Sequence, residues 1–126
     1  MLIVVIASGE GQKDFQDKEM PEGVQVQFLS TLDDAKTNAD AYFYLLDINE
    51  IDATAEKFKS FEAPVFIKEV VDLKSLPRNV ARISPWPGFL FAESIEVQVS
   101  VENMQKVTKV FNKLKWKYNN VLVDAI

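Results

Sequence analysis

The sequence contains no cysteine and no histidine among its 126 residues. Disulfides, thiol nucleophiles, thiolate or imidazole metal sites and every imidazole acid–base mechanism are thereby excluded. Glycine and proline are sparse, with four and five residues respectively, which excludes collagen-like and Gly/Pro-rich disordered chains. Positive charge is also in short supply. Fourteen basic residues against nineteen acidic ones give a net charge of −5 and a pI near 4.7. That balance argues against a general electrostatic grip on nucleic acid or on an anionic membrane. Long apolar runs are missing too. Leu2 to Ala7, near the start, has no basic segment before it, so neither a signal peptide nor a membrane span fits. A cytoplasmic location is the expectation. A mass of 14.3 kDa with 48% hydrophobic and 26% charged residues suits one folded domain over residues 1–126.

Leu2-Ile-Val-Val-Ile-Ala7 is an unbroken, largely β-branched stretch, the pattern of a strand buried on both faces as in a parallel sheet. Gln12 to Lys18 leaves room for two helical turns, and Val24 to Leu29 alternates like a second strand. Thr31 with Asp34 forms an acidic variant of a capping box before a short helix. Further strands are expected at Ala41–Leu46, Pro64–Ile67, Val80–Ile83, Ser94–Val99 and Val121–Val123. Ala53 to Phe61 reads as a helix turning Phe58 and Phe61 toward the sheet. Ser100 is placed to cap the strongest helix, whose stripe of Val101, Met104, Val107, Phe111 and Leu114 recurs at spacings of three and four. Strands alternating with helical segments imply an α/β fold. We expect a doubly wound, mostly parallel, Rossmann-like sheet with helices on both faces.

In such sheets a ligand binds beyond the carboxyl ends of the central strands, which directs attention to Ser8-Gly9-Glu10-Gly11. A dinucleotide fingerprint requires Gly-x-Gly-x-x-Gly, and here the third glycine is replaced by Asp14. Glu10 and Asp14 also set negative charge where a pyrophosphate would rest on a helix N-terminus. The ribose-binding acid expected after the second strand is missing, since Ser30 and Thr31 stand there. Ser8, Gly9 and Gly11 are therefore either a weakened nucleotide site or a strand-to-helix turn that uses glycine for backbone freedom.

Residues 63–126 carry Pro64-Val-Phe-Ile67, Leu73-Lys-Ser-Leu-Pro77, Ala81-Arg-Ile-Ser-Pro-Trp-Pro-Gly-Phe89 and Ile95-Glu-Val97 in that order. This half resembles the second half of the NAD-binding domain of the 3-hydroxyacyl-CoA dehydrogenase family, which makes NAD the cofactor the resemblance implies. In that family a catalytic His pairs with a Glu twelve residues later. Glu96 matches the acid, and Ser84 stands where the base would be. A serine cannot take a hydroxyl proton near neutral pH without a base of its own. The family's Asn-Thr-Ser falls on Glu69, Val70 and Val71, so the polar groups for a substrate oxygen are replaced as well. The family's helical second domain would begin after Asp124, where this sequence is nearly finished. Residues 1–62 match only as a shortened βαβ. The resemblance thus implies a scaffold without the family's reaction. Trp86, stiffened between Pro85 and Pro87, is placed to stack on a base or anchor a partner, or simply to pack.

The leading expectation is a non-catalytic binding or assembly module, a degenerate relative of that family, with a homodimer or a protein partner and Ser8, Gly9, Gly11, Ser84 and Trp86 as cofactor-binding candidates. The alternative is a nucleotide-dependent oxidoreductase using Tyr42, Tyr44 or Lys68 as acid or base. A pseudo-receiver signalling module is the third reading, because Tyr42-Phe-Tyr-Leu-Leu-Asp47 resembles the phosphoacceptor strand of response-regulator receivers. The acidic pair after the first strand and the lysine after the fifth, which receivers need, are absent here. Residues 101–120 carry five lysines and one acid while the remainder sums to −9, a contrast that an acidic partner or a second copy could use. Asp33 with Asp34, and Asp47 with Glu50 and Asp52, lack calcium-loop spacing.

Overall fold

The computed structural model describes residues 1–17, 22–31, 38–45, 57–68, 77–84, 93–114 and 120–125. Seven strands form one sheet: β1 (Leu2–Ile6), β2 (Gln25–Leu29), β3 (Ala41–Tyr44), β4 (Val65–Lys68), β5 (Val80–Ser84), β6 (Ser94–Val99) and β7 (Asn120–Ala125). Helix α1 spans Gly9–Asp17, and a 3₁₀ turn at Val101–Asn103 leads into α2, Met104–Leu114. Strand order is β2-β1-β3-β4-β5-β6-β7. The first five strands are mutually parallel, β6 runs antiparallel to β5, and β7 is parallel to β6. The expected α/β sheet is present and mostly parallel, with a reversal at β5–β6 that the apolar runs do not announce.

The central strands are apolar on both sides because both faces are covered. Ile3, Val5, Phe43, Phe66, Ala81 and Ile83 meet Phe15 of α1 and Val107, Val110, Phe111 and Leu114 of α2. The opposite face joins Val4, Ile6, Tyr42, Tyr44, Val65, Ile67 and Val80 to Phe58 and Phe61. Strands β1, β3 and β4 thus alternate between two cores rather than between core and solvent. Ring contacts run through the first core: Phe43 lies 5.2 Å from Phe15 and 4.8 Å from Phe66, and Phe66 meets Phe111 edge-on at 5.4 Å. In the second core Tyr42 stacks on Phe61 at 4.3 Å.

Two expectations about the last helix need correction. Val101 is 66% exposed, because the chain enters as a 3₁₀ turn and the apolar stripe only comes into phase once α2 begins; Val110 joins the stripe instead. Ser100 holds the N-cap position without a side-chain capping bond. Its hydroxyl donates to the Arg78 carbonyl at 2.8 Å, and Asn103 Nδ2 donates to the same oxygen at 2.9 Å. The helix entrance is tied to the turn before β5, and Arg78 pairs with Glu102 across that tie. Glu102 has its carboxyl held below the usual range, first by its own backbone N–H and then by Ser100 and Arg78. The short helix expected after Thr31 lies outside the described residues, as does the start of the one expected over Ala53–Phe61.

Candidate functional site

The connection after β1 goes to β2 on one side, whereas β3 lies on the other side of β1, so the chain reverses direction across the sheet between β1 and β3. Such a switch point opens a crevice beyond the carboxyl ends of those two strands. Its floor is fixed by backbone hydrogen bonds from Ala7 N to Leu29 O at 3.0 Å and from Leu45 N to Ile6 O at 2.9 Å. Ser8 and Gly9 are exposed directly above it.

Helix α1 begins at Gly9, three residues earlier than the sequence pattern suggests. Gln12 N donates to the Ser8 carbonyl at 2.9 Å as the first helical bond, and Gln12 Nε2 turns back to the Ala7 carbonyl, also at 2.9 Å. Gly11 is therefore a helix residue and not part of a loop that wraps a phosphate. The reading of Gly9 as a residue needed for backbone freedom is corrected as well. It lacks the positive φ seen at Gly23, and a side chain at Gly9 would meet nothing within 4 Å. What the glycine leaves at the start of α1 is open space.

Ser84 closes β5 at the same end of the sheet, half-buried, and its cross-strand partner in β6 is Glu96. Opposed residues of an antiparallel pair project from the same face, so the serine and the carboxylate stand side by side. Two register steps away and on the same face, Arg82 opposes Gln98, and its guanidinium donates to the Gln98 amide oxygen. Glu96 is exposed, in keeping with an outward-facing position on an alternating strand. With β3 and β4 intervening, Ser84 is three strand spacings from β1, roughly 14 Å along the sheet edge. Ser8 and Gly9 form one group and Ser84 with Glu96 another; a ligand touching both must reach along the carboxyl edge. Trp86 lies outside the described residues, as do Asp47 and residues 69–71.

Two of the three proposed acid–base groups fall in the core. Tyr42 is fully buried with its ring on Phe61, and its hydroxyl accepts from Ala39 N at 3.4 Å, at the opposite end of β3 from the crevice. Burial pushes its ionisation above the usual tyrosine value. Tyr44 is buried edge-on to Phe58. Aromatic residues in an apolar run read equally well as catalytic or as core from sequence, and here packing takes them. Lys68 ends β4, at the crevice end. Among the described residues no three His, Cys, Asp or Glu side chains gather to hold a metal ion. No helix of the described residues is long and apolar enough to cross a membrane.

A reversal between β1 and β3 and a helix opening directly after the first strand define the class: a Rossmann-type α/β domain. Comparison with solved structures gives the same fold. A 3-hydroxyacyl-CoA dehydrogenase from Archaeoglobus fulgidus superposes over the whole chain with a TM-score of 0.62 at 14% identity. Dimeric ketopantoate reductase from Staphylococcus aureus does so with a TM-score of 0.55 at 9% identity. The chain covers 57% of the first protein and 60% of the second, less than two thirds of either. No family model matches the chain, and no curated protein matches it. The family suggested by residues 63–126 and the structural neighbour thus coincide at the level of the fold.

Proposed function

We propose that this chain is a Rossmann-type binding or assembly module that does not perform hydroxyacyl-CoA dehydrogenation. The observation that carries this reading is Ser84 opposite Glu96. The register supports the carry-over of the family's acid–base pair onto these two positions, and the base position holds a hydroxyl. An alcohol cannot accept a proton at neutral pH unless a neighbouring base takes its own, and no imidazole exists anywhere in the chain.

A second reading keeps the nucleotide. The open space at Gly9, the exposed Ser8 and the α1 N-terminus at a switch point are the features a dinucleotide uses in this fold. Glu10 and Asp14 oppose it by their charge. Titration with NADH, read by energy transfer from Trp86 and Trp116, separates the two readings. A module without a nucleotide shows no saturable transfer, whereas micromolar saturation establishes the nucleotide-binding one. Turnover of a hydroxyacyl thioester would overturn the first reading.

A further inference from the structure

The amino-terminal end of the sheet carries a second concavity, remote from the crevice by a strand length, roughly 17 Å. Met1, Asp40 and Pro64, which immediately precede β1, β3 and β4, border it on one side, and helix α2 closes the other. The cavity is about 290 Å³, near the lower limit of small-molecule sites. Its wall is apolar, made by Ala39, Ala63, Pro64 and Val110. Its rim is cationic, made by Lys106, Lys109 and Lys113.

The three lysines are not equivalent. Lys106 Nζ donates to the Glu62 carbonyl at 3.1 Å and ties α2 to the segment before β4. Lys109 and Lys113, four residues apart on one helical face, make no hydrogen bond or ion pair in the described structure. Two acids share the rim, Asp40 and Glu62. Asp40 is engaged, accepting from Leu2 N at 2.7 Å through Oδ2, so it fixes the start of β1. Cations outnumber acids around a small apolar hollow, in a chain whose overall charge is negative.

We propose that this cavity binds a small phosphate monoester, with the phosphoryl group between Lys109 and Lys113 and a compact apolar body against Ala63, Pro64 and Val110. Two ammonium groups one helical turn apart match the spread of phosphoryl oxygens, and charge-assisted hydrogen bonds are the strong ones. The hollow is too small for a dinucleotide and selects a single ring or short chain. The site is independent of the crevice at the other end of the sheet.

The test is a titration of the ¹⁵N-labelled 126-residue chain with phenyl phosphate, with inorganic phosphate and benzyl alcohol as separate arms. Saturable shifts at the amides of Ala39, Ala63 and Val110 are expected, with phenyl phosphate binding roughly tenfold or more tightly than either fragment. The K109Q/K113Q variant should weaken binding by at least about tenfold, K109R/K113R should retain it, and K13Q on α1 should leave it unchanged. Absence of saturation, shifts confined to other residues, or an affinity unaltered in K109Q/K113Q overturns the proposal. Equal affinity for inorganic phosphate overturns the monoester assignment.

Discussion

Ser84 and Glu96 are direct cross-strand partners where the sheet changes from parallel to antiparallel. The pairing makes a specific prediction about histidine. In an S84H variant the imidazole would stand beside the Glu96 carboxylate, which favours the protonated ring, so its pKa should lie above the usual 6.5 or so. Because the folded value is raised, this pair stabilises the variant fully below the unfolded pKa, and the gain disappears as pH rises through the folded one. A proton NMR titration of the imidazole resonances in S84H and S84H/E96Q checks this. The double variant should titrate lower. Equal values would mean that the two positions are not in electrostatic contact.

Asn79 is a staple between the turn before β5 and the segment that covers the second core. Its Nδ2 group donates to the carbonyls of Phe58, Phe61 and Ala63 at 3.1, 2.9 and 3.2 Å. Replacing it by alanine removes this donor from all three carbonyls, of which that of Phe58 still accepts from Phe61 N, and N79A should lose about 1–3 kcal/mol of unfolding free energy. N79D should lose more at neutral pH, since a carboxylate would face those oxygens, and should recover part of the loss on acidification. Urea unfolding at pH 7 and pH 4 measures both effects.

Much of this architecture was legible from residue patterning, for a physical reason. Strands such as Leu2–Ile6 and Ala41–Tyr44 are buried on both faces, so they stand out as continuous apolar runs. The antiparallel turn of β6 was not legible, because direction is set by the path of the connection and leaves no mark in the strand's own alternation. The start of α1 was misplaced because Gly9 and Gly11 favour turns by propensity, whereas the helix at this position is held by the packing of Phe15 against Phe43. At the site, the count of twelve singled out Ser84 and Glu96, and the register sets these two positions opposite each other. It could not tell Tyr42 as a core residue from Tyr42 as a catalytic one, since both occur in apolar strands.

Two glycines should respond oppositely to alanine. Gly23 has φ +86°, in the left-handed region, and G23A should cost about 1–2 kcal/mol. Gly9 opens α1 without positive φ and without a neighbour in reach of a Cβ, so G9A should be neutral or stabilising by up to about 1 kcal/mol. Thermal unfolding of the two variants distinguishes them. A destabilised G9A would show that the helix begins elsewhere.

Phe66 joins the sheet to α2 through its contacts with Phe43 and Phe111. It is fully buried, so F66A should cost about 3–5 kcal/mol, a large part of the stability of a domain this size. F66L keeps most of the volume and should be the milder change. Denaturant midpoints for both variants test the ranking.

Tyr42 predicts behaviour in alkali. Its hydroxyl lies in the second core, and burial raises its ionisation above the ordinary value of 10.0. The unfolded chain therefore releases this proton at lower pH than the native one. Stability should be unaffected by this group below about pH 10 and should fall as pH rises from there toward the folded value. Y42F removes the ionisable group and keeps the ring on Phe61. At neutral pH it should lose only about 0.5–1.5 kcal/mol, since the contact with Ala39 N is a long one at 3.4 Å. Above pH 10 the two stability curves should converge, the wild type falling and Y42F holding nearly level. Parallel curves would show that Tyr42 ionises as freely in the folded chain as in the unfolded one, contrary to its burial in the second core.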